Sequence, residues 1–272
     1  MRNSKTNELV LTGLFTAIII IMAFTPLGYI PLVVINATII HIPVILGSLF
    51  CGPKKGAFLG FVFGFTSCLK ATIVGGTLSS FVFSPVLAAS MVGTSGIFKS
   101  LFIAFVPRIL VGVIPYFLYI GIKKVLASEK KNLWGTVLNV LMSVFLAFGV
   151  YAFLGKMSES LSQAASLGIG IAVGAVVFIV VEAVFIRKST QVIPFVYAGV
   201  AGAMTNTLLV MGSIFVLYKD AYADAIGVAG NAVLGVITGV ISFNGVIEAI
   251  VAAIIVYLVG LVLNTIKPIA AK

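Results

Sequence analysis

From residue 9 to residue 53 the chain carries no acidic or basic residue, and its single histidine, His41, falls inside that run. A membrane-crossing helix needs ~20 apolar residues, so the run has room for two crossings. Its centre differs from its flanks. Pro26, Gly28, Pro31 and Pro43 interrupt it, and Asn36, Thr38 and His41 bring polar groups into it. Proline and glycine break helical hydrogen bonding, and loose backbone at membrane depth survives only when buried in protein or lining a cavity. The broken stretch therefore reads as a cavity-lining segment, with Asn36, Thr38 and His41 as candidate ligand-binding residues. For His41 a hydrogen bond to loop backbone is the equal alternative. The run closes at Cys51-Gly52-Pro53-Lys54-Lys55, a tight basic turn. Gly56, Gly60 and Gly64 follow, four apart on one helix face.

The rest of the chain extends this pattern. Hydrophobic residues make up 61% and charged residues 9% of the 272, whereas a soluble domain is about a quarter charged. The composition defines an all-α polytopic membrane protein, read as a single membrane domain over 1–272. Its net charge of +10 sits in short loops between apolar runs, the positive-inside pattern, and does not describe a nucleic-acid surface. Cys51 falls at the cytoplasmic turn and Cys68 near the far end of the next predicted helix, so no bridge is expected. No small-residue cleavage site precedes Pro26, so the first apolar run reads as a retained helix, with no appended soluble domain.

Charged residues taken as stops give eight spans: 9–25, 37–52, 56–72, 101–122, 133–155, 165–186, 193–217 and 242–264. Residues 73–99 and 219–241 read as long Gly- and Ser-rich loops. With the N-terminus in the cytoplasm, Lys70, Lys99, Lys156 and Lys219 face outside and Arg108 lies within a span. The other twelve of the 17 lysines and arginines face inside. The bias places both termini in the cytoplasm. Spans 133–155 and 165–186 form a hairpin within residues 128–189, where Glu182 can snorkel toward Arg187 or Lys188.

Several stretches carry a family likeness: LGYIPLVVINATIIHIPVILG and GPKKGAFLGFVFG near the start, then FVPRILVG at 105–112, AGAMTNTLLVMG at 201–212 and NGVIEAIVAAIIV at 244–256. In these the chain resembles the substrate-binding S-components of energy-coupling factor (ECF) vitamin transporters, most of all the pantothenate-specific members. The likeness covers roughly residues 5–125 and 190–265. It implies a six-helix S-component core, with 128–189 as an inserted two-helix hairpin. It also implies partnership with a transmembrane coupling subunit and two ATPase subunits in a bacterial cell membrane, and a subunit that topples to release its vitamin inside. In the family, small residues four apart on the first helix dock onto the coupling subunit, a role that maps onto Gly13 and Ala17.

The chain's own chemistry fits a capturing subunit without catalysis. Gly47 to Gly52 is followed by Pro53-Lys54 and lacks the Lys-Ser/Thr of a phosphate loop, so any ATP hydrolysis must come from another protein. One histidine and no paired carboxylates leave no metal or nucleophile cluster, and no cofactor is expected. Arg108 is the most informative charge, because an ionised group within a span is costly unless it serves a function. A guanidinium matches a carboxylate through two parallel hydrogen bonds. The alternatives are an ion pair with Glu248 or a snorkelling side chain. Glu248, which follows the candidate Asn244, either binds a ligand hydroxyl or amide or neutralises Arg108, and Asn206 serves either the ligand or an interhelical bond. The rival function is a self-sufficient ion-coupled carrier of a small organic anion, which would show related halves and mid-span acids. Neither is evident.

Overall fold

The structure is a computed structural model. It describes residues 2–31, 36–75, 77–157, 161–188, 192–266 and 269, except the side chains of residues 2–5, 29–31, 36–37, 156–157 and 184–188. The first apolar run folds as α1 (Arg2–Phe24). The proline- and glycine-broken stretch becomes a 3₁₀ turn and a two-stranded antiparallel ribbon, β1 (Tyr29–Pro31) and β2 (Asn36–Thr38), with Tyr29 opposite Thr38. Helix resumes only as α2 (His41–Cys51), and α3 (Pro53–Ile73) starts after Gly52, which adopts φ +87°. At 11 residues α2 is about 16 Å long, too short to cross a bilayer as helix alone. The expected span 37–52 is thus part ribbon and part short helix.

Two contacts give the direction of the return. Glu8 pairs with Lys55 at 3.0 Å, and Lys70 Nζ donates to the Ala23 carbonyl at 3.0 Å. The starts of α1 and α3 are together and so are their ends, so the helices run parallel. The segment between them travels back along their length.

The glycine face of α3 meets α5 (Thr94–Val111) in antiparallel register. A Cβ at Gly60 would collide with the Arg108 carbonyl, and one at Gly64 would sit 2.6 Å from the Ala104 carbonyl. Gly56 and Gly112 meet backbone to backbone. Small residues permit this approach, which in lipid supplies the packing that hydrophobicity cannot. The expected span 101–122 is divided at Gly112–Val113, where α5 gives way to α6 (Ile114–Leu126) with Pro115 in its first turn. Ser48 Oγ donates to the Gly112 carbonyl at 2.5 Å across that break.

Two stretches read as loops contain helix. Residues 73–99 hold α4 (Pro85–Val92), begun by Ser84, whose hydroxyl accepts the Leu87 N–H, and by Pro85 at its first position. This is an N-cap with proline in place. Residues 219–241 prolong α9 (Val192–Ile226) beyond a kink at Tyr218 and then form α10 (Val233–Val240). A π-turn, Ile241–Gly245, joins α10 to α11 (Val246–Ile266). The charges at 219–224 end an apolar run, not a helix.

The hairpin α7 (Lys131–Met157) and α8 (Gln163–Lys188) is closed by polar groups. Glu182 accepts from Thr136 Oγ1 at 2.7 Å and from Asn139 Nδ2 at 2.8 Å. It faces its partner helix; the expected snorkelling concerns residues 187 and 188, whose side chains lie outside the described residues. Cys51 and Cys68 are free thiols.

Among the described residues seven helices are long and apolar enough to cross a membrane. The two largest parts of their core lie at different levels. One fills the bundle with α2 at its centre, where Phe50 stacks on Phe195. The other, around Phe81, Ile214, Tyr218 and Ile237, caps the end that carries α4 and α10. The candidate site lies at that capped end, between α3, α5 and α9.

Candidate ligand-binding site

Pro107 sets the site's geometry. In an α-helix the N–H of residue i bonds the carbonyl of i−4, so a proline at 107 leaves the Ile103 carbonyl without its helical donor. A buried carbonyl in lipid must be paired. Arg108 Nη1 donates to it at 2.6 Å. The arginine sits 14 residues beyond the first residue of α5. Its side chain folds back along its own helix toward the capped end, the direction in which helical side chains lean. Phe83 and Phe63 flank the guanidinium at 4.8 and 5.5 Å, shielding it from water and fixing its plane. Arg108 is only 6% exposed.

The guanidinium lines a cavity of about 300 Å³, at the lower end of the size range for small-molecule sites. Lys70 of α3 and Asn206 of α9 share its wall, with Thr38 of β2 and Ser67 and Ser80. Among the described residues two cations and no carboxylate stand on that wall. The Asn206 side-chain oxygen is buried without a hydrogen-bond partner, and so can accept from a ligand N–H or O–H. The wall thus carries cationic groups together with a hydrogen-bond acceptor.

The structure brings together Thr38, Arg108 and Asn206 of the residues expected to form the site. Glu248 stands one layer behind. Its carboxylate accepts the Thr38 N–H at 2.8 Å and the Thr207 hydroxyl at 2.9 Å, and it is near enough to Arg108 for direct Coulombic attraction. Asn244 is buried in the π-turn that precedes it. α7 braces this turn: Phe153 stacks on Phe243 at 4.5 Å, and Gly149 leaves room for Val246. His41 is fully buried in the first turn of α2. Its ring lies against the Thr38 backbone, yet neither nitrogen completes a hydrogen bond. The Asn36 side chain lies outside the described residues. Sequence reasoning left out Phe63 and Phe83, which look like ordinary core residues, and counted Lys70 only among the outward-facing charges.

Gly13 and Ala17 are exposed on α1, and a Cβ on Gly13 would meet no atom within 4 Å. That face is open to another helix.

A helical membrane bundle with a cationic, ligand-sized cavity among its described residues fits a solute-recognising transport protein. The chain matches the family model described as ECF transporter, substrate-specific component, over residues 7–260, and it belongs to that family. It is 42% identical over 161 residues to the pantothenic acid transporter PanT of Lactococcus lactis subsp. cremoris, covering 55% of this chain and 78% of that protein. It is also 27% identical over 277 positions to the pantothenate transporter PanT of Leuconostoc mesenteroides subsp. mesenteroides, covering 100% of this chain and 98% of that one. The protein is a multi-pass component of a bacterial cell membrane that takes part in vitamin uptake and is not an enzyme.

Proposed function

We propose that the chain captures pantothenate from outside the cell as the substrate-specific subunit of an ECF-type importer, and delivers it inward with a coupling subunit and two ATPase subunits. The observation that carries the substrate is the cavity wall. Arg108 and Lys70 suit the vitamin's carboxylate, and the unpartnered Asn206 oxygen suits its amide or a hydroxyl. The names of the two relatives point the same way. In this reading Asn36, His41, Asn244 and Glu248 complete or support the site. The chain passes the bilayer eight times, α2 with its ribbon making the second pass, and both termini are cytoplasmic. The parallel course of α1 and α3 and the concentration of positive charge at one end support this topology. Residues 128–189 are an inserted hairpin in a single membrane domain.

The test is a thermal-shift and titration series on the purified protein with pantothenate and other B-vitamins. Pantothenate alone should stabilise it, and stabilisation by a different vitamin would overturn the substrate. Uptake into cells should require co-expressed coupling and ATPase subunits; accumulation driven by this chain alone would overturn the partnership.

The exposed Gly13 and Ala17 are proposed as the coupling-subunit contact. Gly13→Leu with Ala17→Leu should abolish co-purification of the coupling subunit while pantothenate titration stays within about twofold of wild type, because added bulk separates helix backbones far from the cavity. Normal co-purification would assign the contact elsewhere.

A further inference from the structure

One hydrogen bond joins residues 210 apart in sequence, the Thr38 N–H on β2 and Glu248 Oε1 on α11, at 2.8 Å. Thr38 lies at the end of the ribbon, where Ile39 N–H already serves the Gly28 carbonyl. The Thr38 N–H points away from that pairing and would be an orphan donor in a partly buried place. Oε2 of the same carboxylate accepts the Thr207 hydroxyl at 2.9 Å. Glu248 is 5% exposed and Thr207 also 5%. A buried carboxylate needs such donors, since without them its desolvation is uncompensated.

Neither Glu248 nor Thr207 lines the cavity, but each holds a residue that does. Thr38 is bound directly, and Asn206 is the chain neighbour of Thr207. We propose that Glu248 is a positioning residue of the ligand site, clamping the β2 backbone to α9 so that Thr38 and Asn206 keep their spacing before ligand arrives. The π-turn Ile241–Gly245 serves this arrangement. Gly245 packs on Thr207, where a Cβ would lie 3.1 Å from its methyl, and a widened turn changes the direction from which the first turn of α11 presents Glu248. Preorganisation of this kind raises affinity by removing the cost of ordering the site on binding. The proposal rests on the cavity being the ligand site.

Its test has two arms. In the first, backbone hydrogen exchange at Thr38 is measured without ligand. Thr207→Val keeps the side-chain volume and removes the hydroxyl, so the carboxylate loses one tether. Exchange at Thr38 should rise several-fold, and by about tenfold or more in Glu248→Ala, which removes the acceptor itself. Thr207→Ser should restore protection. In the second arm pantothenate is titrated into the same proteins. Affinity should fall about three- to tenfold in Thr207→Val and recover in Thr207→Ser. Unchanged exchange at Thr38 in Thr207→Val and Glu248→Ala would overturn the clamp, as would equal exchange in the valine and serine variants. The first arm contains no ligand, so the two readings fail separately. Protection lost as expected in a protein that binds no pantothenate supports the clamp and overturns the substrate.

Discussion

Arg108→Ala should weaken pantothenate binding by ~2–5 kcal/mol, the usual cost of removing one partner of a buried, hydrogen-bonded charge pair. The guanidinium is almost fully buried, flanked by Phe63 and Phe83, and lies on the cavity wall. Arg108→Lys should recover only part of the loss. Lysine keeps the charge but cannot serve the Ile103 carbonyl and a carboxylate with one planar group. Pro107→Ala is the subtler variant. It restores a backbone donor to the Ile103 carbonyl, which Arg108 Nη1 now serves, and so frees the guanidinium to wander. Affinity should drop by about a single hydrogen bond's worth, ~0.5–1.5 kcal/mol, while the helix gains stability from losing an interior proline. The alcohol analogue of the vitamin should bind wild type poorly and lose little more in Arg108→Ala, because the two changes remove the same contact. Titration calorimetry reads all four. A well-folded Arg108→Ala protein with wild-type affinity would end this assignment.

Gly60→Val should prevent or severely impair folding. Overpacking a well-filled core costs about 1–3 kcal/mol when neighbours can shift. Here the obstacle is the backbone carbonyl of Arg108, on a helix that also meets α3 at Gly56 and Gly64. Relief requires the whole α3–α5 contact to separate, so the cost should exceed that range. Gly121→Ala is the control. Gly121 is exposed on α6, and a Cβ there would meet nothing within 4 Å. It should be neutral or stabilising by up to ~1 kcal/mol, since alanine suits a helix better than glycine. Thermal unfolding and size-exclusion profiles in detergent distinguish the two variants. A monodisperse Gly60→Val protein melting with wild type would show that the register is looser than drawn.

What could be read from the sequence was what depends on near neighbours along the chain. Low charge and long apolar runs define a membrane bundle, because transfer to lipid is decided residue by residue. The breaks at Pro26, Gly28 and Pro31 marked irregular backbone, and the structure has a ribbon there. Gly56, Gly60 and Gly64 were visible as a row on one helix face, though not what that face meets, and Arg108 as a charge with a purpose. Charges used as stops misjudged where helices end, since lysine and aspartate leave the membrane but do not leave a helix. α9 runs on past Lys219 to Ile226 for that reason. α4 was hidden in an apolar, Ser-rich stretch, although Ser84-Pro85 is a local start signal.

Tertiary structure alone decided which groups meet. Arithmetic on Pro107 shows that the Ile103 carbonyl is orphaned, but not that Arg108 answers it. No local pattern joins Thr38 to Glu248, or sets Phe63 and Phe83 beside a guanidinium. The sequence determined that this protein lives in a membrane and that its polar residues must be covered. Which polar residue covers which depended on how α3, α5, α9 and α11 pack. In lipid that packing is settled by shape and by hydrogen bonds between distant residues, neither of which has a period along the chain.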